Sequence, residues 1–197
     1  MLREHNTNND DLPKLPRVAI ILTGNISKDI KETEDSLAEQ SYKNFVVLQN
    51  KEKFTSSFFN ELNESYEIYG LLNAGDKFNT KDSLQTIVTK LFESKFIGGI
   101  YGDSCVKQNE VTQQFYFPPH DHETFPRLLG IFPIFFKKGA VEEVPLNENL
   151  EYLHGYDALI NISKKFVVSH IPELLFKLKH KEINIEQDIN YLKNNVS

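Results

Sequence analysis

The feature that most narrows what this chain can fold into is a continuous apolar run, Val18-Ala-Ile-Ile-Leu22, ending in Thr23-Gly-Asn25. A strand with one wet face alternates apolar and polar residues. A run without alternation predicts a strand buried on both faces, as in a mostly parallel sheet with helices on either side. The next residues agree. Lys28 to Ser41 carries Ile30, Leu37 and Ala38 on one stripe and predicts a helix, and Phe45-Val-Val-Leu48 predicts a second buried strand. Strand, helix and strand in that order form a βαβ unit, hence a parallel pair joined by a right-handed crossover.

The same reading continues along the chain. Thr55 to Asn63 predicts a short helix, and Tyr66 to Leu72 a strand that ends in the turn Asn73-Ala-Gly-Asp76. A helix capped by Asn79 or Thr80 follows, with Leu84, Ile87, Val88, Leu91 and Phe92 at helical spacing. Phe96 to Tyr101 reads as a strand leading to a turn at Gly102-Asp103, and a hairpin runs through Val111 to Phe117. Beyond Pro118-Pro119 the pattern gives a strand within Leu128 to Phe136, a helix over Tyr156 to Ser163, and a strand over Phe166 to Ile171. A last amphipathic helix carries Ile185, Ile189, Leu192 and Val196.

These elements make one α/β domain over residues 17–180. Residues 1–16 are an expected disordered tail closed by Pro13 and Pro16, and residues 181–197 an expected helix packing on the domain. The net charge is −6 with no block of Lys or Arg, which disfavours nucleic acid as a partner. Cys105 is the only cysteine, so no internal disulfide forms, and it is expected as a small buried hydrophobe. The polar stretch Met1 to Asp11 cannot act as a signal peptide, and Ile131-Phe-Pro-Ile-Phe-Phe136 is too short to span a bilayer. The expectation is a soluble cytoplasmic domain, or one cut from a larger protein.

Ligands in open α/β sheets bind beyond the carboxyl ends of the strands. Three polar turns are expected there: Thr23-Gly24-Asn25, Asn73-Ala-Gly-Asp76 and Tyr101-Gly-Asp103. Each sets a Gly beside a short polar side chain, which lets backbone approach a ligand, although such residues are also common turn formers. His120-Asp-His122 offers two imidazoles to a transition metal, but with no third ligand nearby a solvated loop is the simpler expectation. Phe115-Tyr-Phe117 offers rings on which a ligand could stack, with core packing as the simpler expectation.

Several of these segments resemble the family 2 glycosyltransferases. Val18 to Asn25, followed by Ser36-Leu-Ala-Glu-Gln-Ser-Tyr-Lys-Asn-Phe45, is similar to the opening of that family. Leu71-Leu-Asn-Ala-Gly-Asp-Lys-Phe78 resembles the "LNxGD" variant of its metal-binding DxD segment, and Ile100-Tyr-Gly-Asp103 its "YGD". Phe135-Phe-Lys-Lys138 and Ile171-Pro-Glu-Leu-Leu175 are similar to later family stretches, so the likeness is ordered over residues 17–180.

The resemblance implies a GT-A-like fold and transfer of a sugar from a nucleotide-diphosphate donor to a glycan or lipid-linked acceptor, as in polysaccharide biosynthesis. It implies Mn2+ or Mg2+ at Asp76, which neutralises the leaving diphosphate, with a turn-closing role for Asp76 as the alternative. Thr23, Asn25, Gln49 and Asn73 fall on the donor side, Asp103, His120 and His122 on the acceptor side, and Asp157 is the candidate base. The chain also departs from the pattern. Leu48-Gln-Asn-Lys-Glu52 stands where the family has an Asp pair, the first Asp of DxD is replaced, and another register puts Gly155 at the base position. A degenerate module that binds a glycan or partner protein is therefore the alternative, and a partner domain or second copy could complete the site. A nucleotidyltransferase expects a Gly-rich loop with Arg and Lys after the first strand, and only Lys28 and Lys31 are near.

Overall fold

A computed structural model of the chain describes residues 15–50, 58–59, 62, 66–108, 111–119, 133–147, 149–150, 153–179 and 186–195. The elements are β1 (Val18–Thr23), α1 (Ser27–Ala38), β2 (Phe45–Asn50), β3 (Ile68–Asn73), β4 (Lys77–Phe78), α2 (Ser83–Phe92), β5 (Ile97–Gln108) and β6 (Val111–Phe115). They continue as β7 (Ile134–Lys137), α3 (Lys138–Glu142), α4 (His154–Ser163), β8 (Val167–Leu178) and α5 (Glu186–Asn195). The tail up to Lys14, most of the helix expected over Thr55 to Asn63, and both His120 and His122 lie outside the described residues.

All eight strands form one sheet in the order β2-β1-β3-β7-β5-β8-β4, with β6 paired to β5. β1 lies parallel between β2 and β3, as the buried apolar run predicts. β7 is inserted antiparallel between β3 and β5, and β8 pairs parallel with β5. Five strands (β1, β2, β3, β5 and β8) therefore share one direction, so the sheet is mostly parallel.

Strand side chains alternate between the two faces, and here both faces are covered. Val18, Ile20 and Leu22 pack with Leu37 of α1 and with Leu84, Ile87, Val88 and Leu91 of α2. Ala19 and Ile21 point the other way, into a cluster holding Ala140 and Val141 of α3 and Tyr156, Leu159 and Ile162 of α4. Gln40, just past α1, ties the two helices of the first face together. Its amide donates to the Thr80 carbonyl (2.8 Å) and its oxygen accepts from the Leu84 N–H (2.9 Å), serving an otherwise orphaned donor of the first turn of α2. The Ser83 hydroxyl accepts from the Thr80 N–H at 3.1 Å. Phe92, the last residue of the apolar stripe in α2, is 49% exposed rather than buried.

The expected turn at Tyr101-Gly-Asp103 is instead the middle of β5, a 12-residue strand. Its partner β8 is equally long and continues past Pro172, where the sequence reading stopped it. The ladder accommodates this by register shifts on either side of Asp103, between Gly102↔Ile171 and Ser104↔Phe176. Proline has no N–H to give a ladder and is tolerated at such irregularities. Cys105 is buried within β5. The second half of β5 pairs with β6 as the expected hairpin. Among the described residues no helix is long and apolar enough to cross a membrane.

Gly70 of β3 faces Phe135 of β7, and a Cβ on it would fall 2.3 Å from the Phe135 ring. The fully buried Phe135 ring also stacks on Phe176 and tilts against Phe78. Gly70→Ala must displace that aromatic cluster, and overpacking of this kind costs about 1–3 kcal/mol. Urea unfolding is expected to show that loss as a lower midpoint with an unchanged slope.

Candidate functional site

The parallel ladder places the carboxyl ends of three strands side by side, with Thr23 opposite Asn50 on one flank and Asn73 on the other. The Thr23 hydroxyl donates to the Asn73 side-chain oxygen at 2.9 Å, and the Thr23 carbonyl accepts from the Ala74 N–H at 2.7 Å. β1 then turns through Gly24 at φ +127°, where a Cβ would sit 2.8 Å from the Cβ of Ala74. Only glycine fits that turn. It leads through the exposed Asn25 to the start of α1, whose N-cap position, Ile26, offers no side-chain cap. Gln49 is exposed one residue short of the end of β2. Thus Thr23, Asn25, Gln49 and Asn73 share one edge of the sheet.

Asp76 belongs to the same turn, but its carboxylate points into the protein. It is buried, one oxygen accepts from the Asn73 N–H (3.3 Å) and the other from the Lys179 N–H (3.0 Å). Thr33 of α1 donates its hydroxyl to the Asp76 carbonyl (2.8 Å) and accepts from the Gly75 N–H (2.9 Å). Gly75 has φ +98°, and a Cβ there would meet the Lys179 chain at 2.5 Å. The Lys179 ammonium reaches on to the buried Asp29 carboxylate at 2.5 Å, and that hydrogen bond raises its pKa above the ordinary lysine value. Strand end, turn, helix and the chain after β8 are therefore locked together beneath the edge.

The other sequence candidates lie elsewhere. Asp103 is buried in β5, where one carboxylate oxygen accepts from the Phe117 N–H (2.9 Å) and lies 2.8 Å from Nε2 of His170 on β8. Tyr101 packs against that imidazole and donates its hydroxyl to the Pro118 carbonyl at 2.6 Å. Burial raises the Tyr101 hydroxyl well above the usual tyrosine range. His170 carries no family-like motif, and only its register with Tyr101 brings it to Asp103. Asp157, in the first turn of α4, is 2% exposed and bonds to the Asn161 side-chain amide (3.3 Å) and the Asn147 backbone. None of its hydrogen bonds reaches Thr23, Asn73 or Asp76. α3 and the Asp29–Lys179 pair had no sequence signal, since each depends on long-range packing.

Among the described residues no group of three or more His, Cys, Asp and Glu could hold a metal ion. Each Asp76 oxygen accepts one backbone N–H, which turns the carboxylate toward the protein, and an oxygen with two lone pairs can accept one N–H and still ligate a cation.

No family model matches the sequence, and no curated protein matches it. Solved structures do match the fold. The mannosyltransferase PcManGT from Pyrobaculum calidifontis, in complex with GDP-Man and Mn2+, superposes with a TM-score of 0.60 over 85% of this chain at 14% identity. S. aureus TarS 1-349 in complex with UDP-GlcNAc gives 0.63 over 85% at 13%, and in complex with UDP 0.60 over 90% at 12%. The chain has a GT-A-like glycosyltransferase fold. It covers 58%, 60% and 63% of those three chains, respectively.

The Asp157 carboxyl provides a direct test of its own surroundings. Burial pushes its pKa up to about 6, against the weaker lowering by Asn147 and Lys164. Between about pH 4 and 6 the folded chain keeps a proton that the unfolded chain releases, so stability is lost as pH rises through the folded value. Asp157→Asn is thus expected to be more stable than the parent by about 2–3 kcal/mol at about pH 8, with the gain vanishing below about pH 4. Denaturant unfolding across that range measures it, and a variant less stable at pH 8 would show the carboxylate to be held ionised.

Proposed function

We propose that the carboxyl edge of β1, β2 and β3 binds a nucleotide-diphosphate sugar and that the domain passes the sugar to a glycan or lipid-linked acceptor. The observation that carries this reading is the in-register row of Thr23, Asn50 and Asn73 at the edge where sheets of this type take ligands. Two of the fold's neighbours are complexes with GDP-Man and UDP-GlcNAc, which supports the donor class. The ordered likeness to family 2 segments supports transfer, and a role in polysaccharide assembly in the cytoplasm fits that likeness.

In this reading Gly24 lets backbone approach the donor, Thr23, Asn25 and Asn73 orient it, and exposed Gln49 meets the base end. The start of α1, without a side-chain cap, offers N–H groups to the diphosphate, and Lys28 adds a positive charge beside them. Mn2+ accompanies GDP-Man in the Pyrobaculum enzyme. Because the Asp76 carboxylate is turned into the protein, stabilisation of the leaving diphosphate is assigned to these amides and lysine, with Mn2+ or Mg2+ at Asp76 as the alternative. Asp157 has a proton affinity near that of a useful general base, which supports its assignment to the acceptor hydroxyl. Asp103, His120 and His122 are assigned to the acceptor side.

A second reading has its own observation. Asp76 and Asp157 both spend their carboxylates inside the protein, which favours a module that binds a donor or glycan without transferring.

A thermal-melt screen with UDP-, GDP-, CDP- and dTDP-sugars, each with manganese and with EDTA, tests the site. One nucleotide class is expected to raise the melting temperature equally in both conditions, by about 2.7 kcal/mol of stabilisation at one hundred times its dissociation constant. Asn73→Ala should abolish the shift. A shift present only with manganese would overturn the amide-and-lysine account, and none with any donor would overturn donor binding. Released nucleotide diphosphate on mixing with acceptor then separates transfer from binding alone.

A further inference from the structure

A cleft lies at the opposite edge of the sheet, where the residues just before β3, β5 and β8 meet the end of β7. It has a volume of about 410 Å³ and its walls include Tyr66, Phe92, Phe166, Lys95, Lys137 and Lys138. The lysines are the informative residues. The Lys137 ammonium donates to the Ser94 carbonyl at 2.8 Å and sits 5.3 Å from the centre of the Phe92 ring. Among the described residues it has no carboxylate within ion-pair distance, and burial lowers its pKa. Lys95 lies over a ring, Phe96, at 5.2 Å, and it too has no carboxylate partner among the described residues. Three carboxylates line the cleft as well: Glu142 pairs with Lys138 at 3.6 Å, Glu67 accepts from the Arg17 backbone N–H at 2.6 Å, and Glu143 is exposed, so Lys137 and Lys95 are the lysines left for a ligand.

A half-buried ammonium without a counter-charge keeps a solvation cost that an anion could offset. Exposed apolar surface continues beside the cleft. Phe92, Phe96 and Val167 are 49%, 62% and 52% exposed, and the Val167 N–H bonds the Phe96 carbonyl at 2.8 Å, so two of the three are adjacent. On a chain of net charge −6, lysines and aromatic rings converge here from three separate segments. We propose that this cleft binds one amphiphilic organic anion, with its charged group on Lys137 and Lys95 and its apolar part on Phe92 and Phe166. The ligand chemistry is a carboxylate, sulfonate or phosphate on a hydrocarbon or aromatic body, supplied free in solution or as the exposed end of an anionic lipid.

The probe is 8-anilinonaphthalene-1-sulfonate, titrated by fluorescence into the folded chain below its cooperative melt. Binding should saturate at one site, with decanoate competing and decanol competing far more weakly. Lys137→Gln and, separately, Lys95→Gln should each weaken the dye about ten-fold, the loss of one charge-assisted contact, while the melting temperature stays within a few degrees. Lys95 is exposed, so its variant keeps the test open if Lys137→Gln folds poorly. Sedimentation with phosphatidylglycerol vesicles, lost in both variants, would identify a lipid source, and competition by decanoate without sedimentation a free one. Unchanged dye affinity in the two variants, equal competition by decanol, or no saturable binding would each overturn the proposal.

Discussion

Burial of β1 on both faces is the constraint on which the rest of the structure depends. Because Val18, Ile20 and Leu22 face one helical layer and Ala19 and Ile21 the other, β1 can only be an inner strand. An inner strand must satisfy its backbone on both sides, so β2 and β3 flank it, and the parallel ladder sets their ends level. The edge carrying Thr23, Asn50 and Asn73 follows from that pairing. Nothing about the edge residues themselves had to specify it.

Beneath this edge, buried polar groups hold the turn where apolar contacts cannot. Asp76, Thr33, Asp29 and Lys179 come from three separate stretches of chain and satisfy one another across the turn at Gly75. A carboxylate so engaged fixes backbone geometry and is buried beneath the edge. Asp103 does similar work in β5, joining His170 and the Phe117 N–H where the β5–β8 register slips. Polar residues that read as ligands from spacing alone are thus partly structural, and the other polar side chains that the sequence put on the edge, those of Thr23, Asn25, Gln49 and Asn73, are neutral.

Much of the fold was legible because it follows from local pattern. The runs at Val18 and Phe45, and the apolar stripe from Leu84 to Leu91, each determine an element and the face it buries. What was not legible depends on contacts between distant residues. Pro172 reads as a strand end, yet β8 passes it because β5 supplies a shifted register. The Tyr101-Gly-Asp103 stretch reads as a turn for the same reason. Phe92 completes a helical stripe but stays half exposed, with the Lys137 ammonium over its ring, and it lines the cleft at the opposite edge instead. For the site, the polar character of the strand ends could be read from Thr23, Asn25 and Asn73, whereas the direction of the Asp76 and Asp157 carboxylates could not, since nothing in spacing tells which way a carboxylate turns.

The central claim, that the carboxyl edge of β1 to β3 receives the donor, is tested most directly by amide chemical shifts of the 15N-labelled chain during titration with the nucleotide sugar that stabilises it. The account predicts perturbations concentrated at Thr23, Gly24, Asn25, Asn50, Asn73 and Gly75, with Gly98 and Gly139 at the opposite edge unmoved. Saturable binding whose perturbations avoid the ends of β1 and β3 would contradict it.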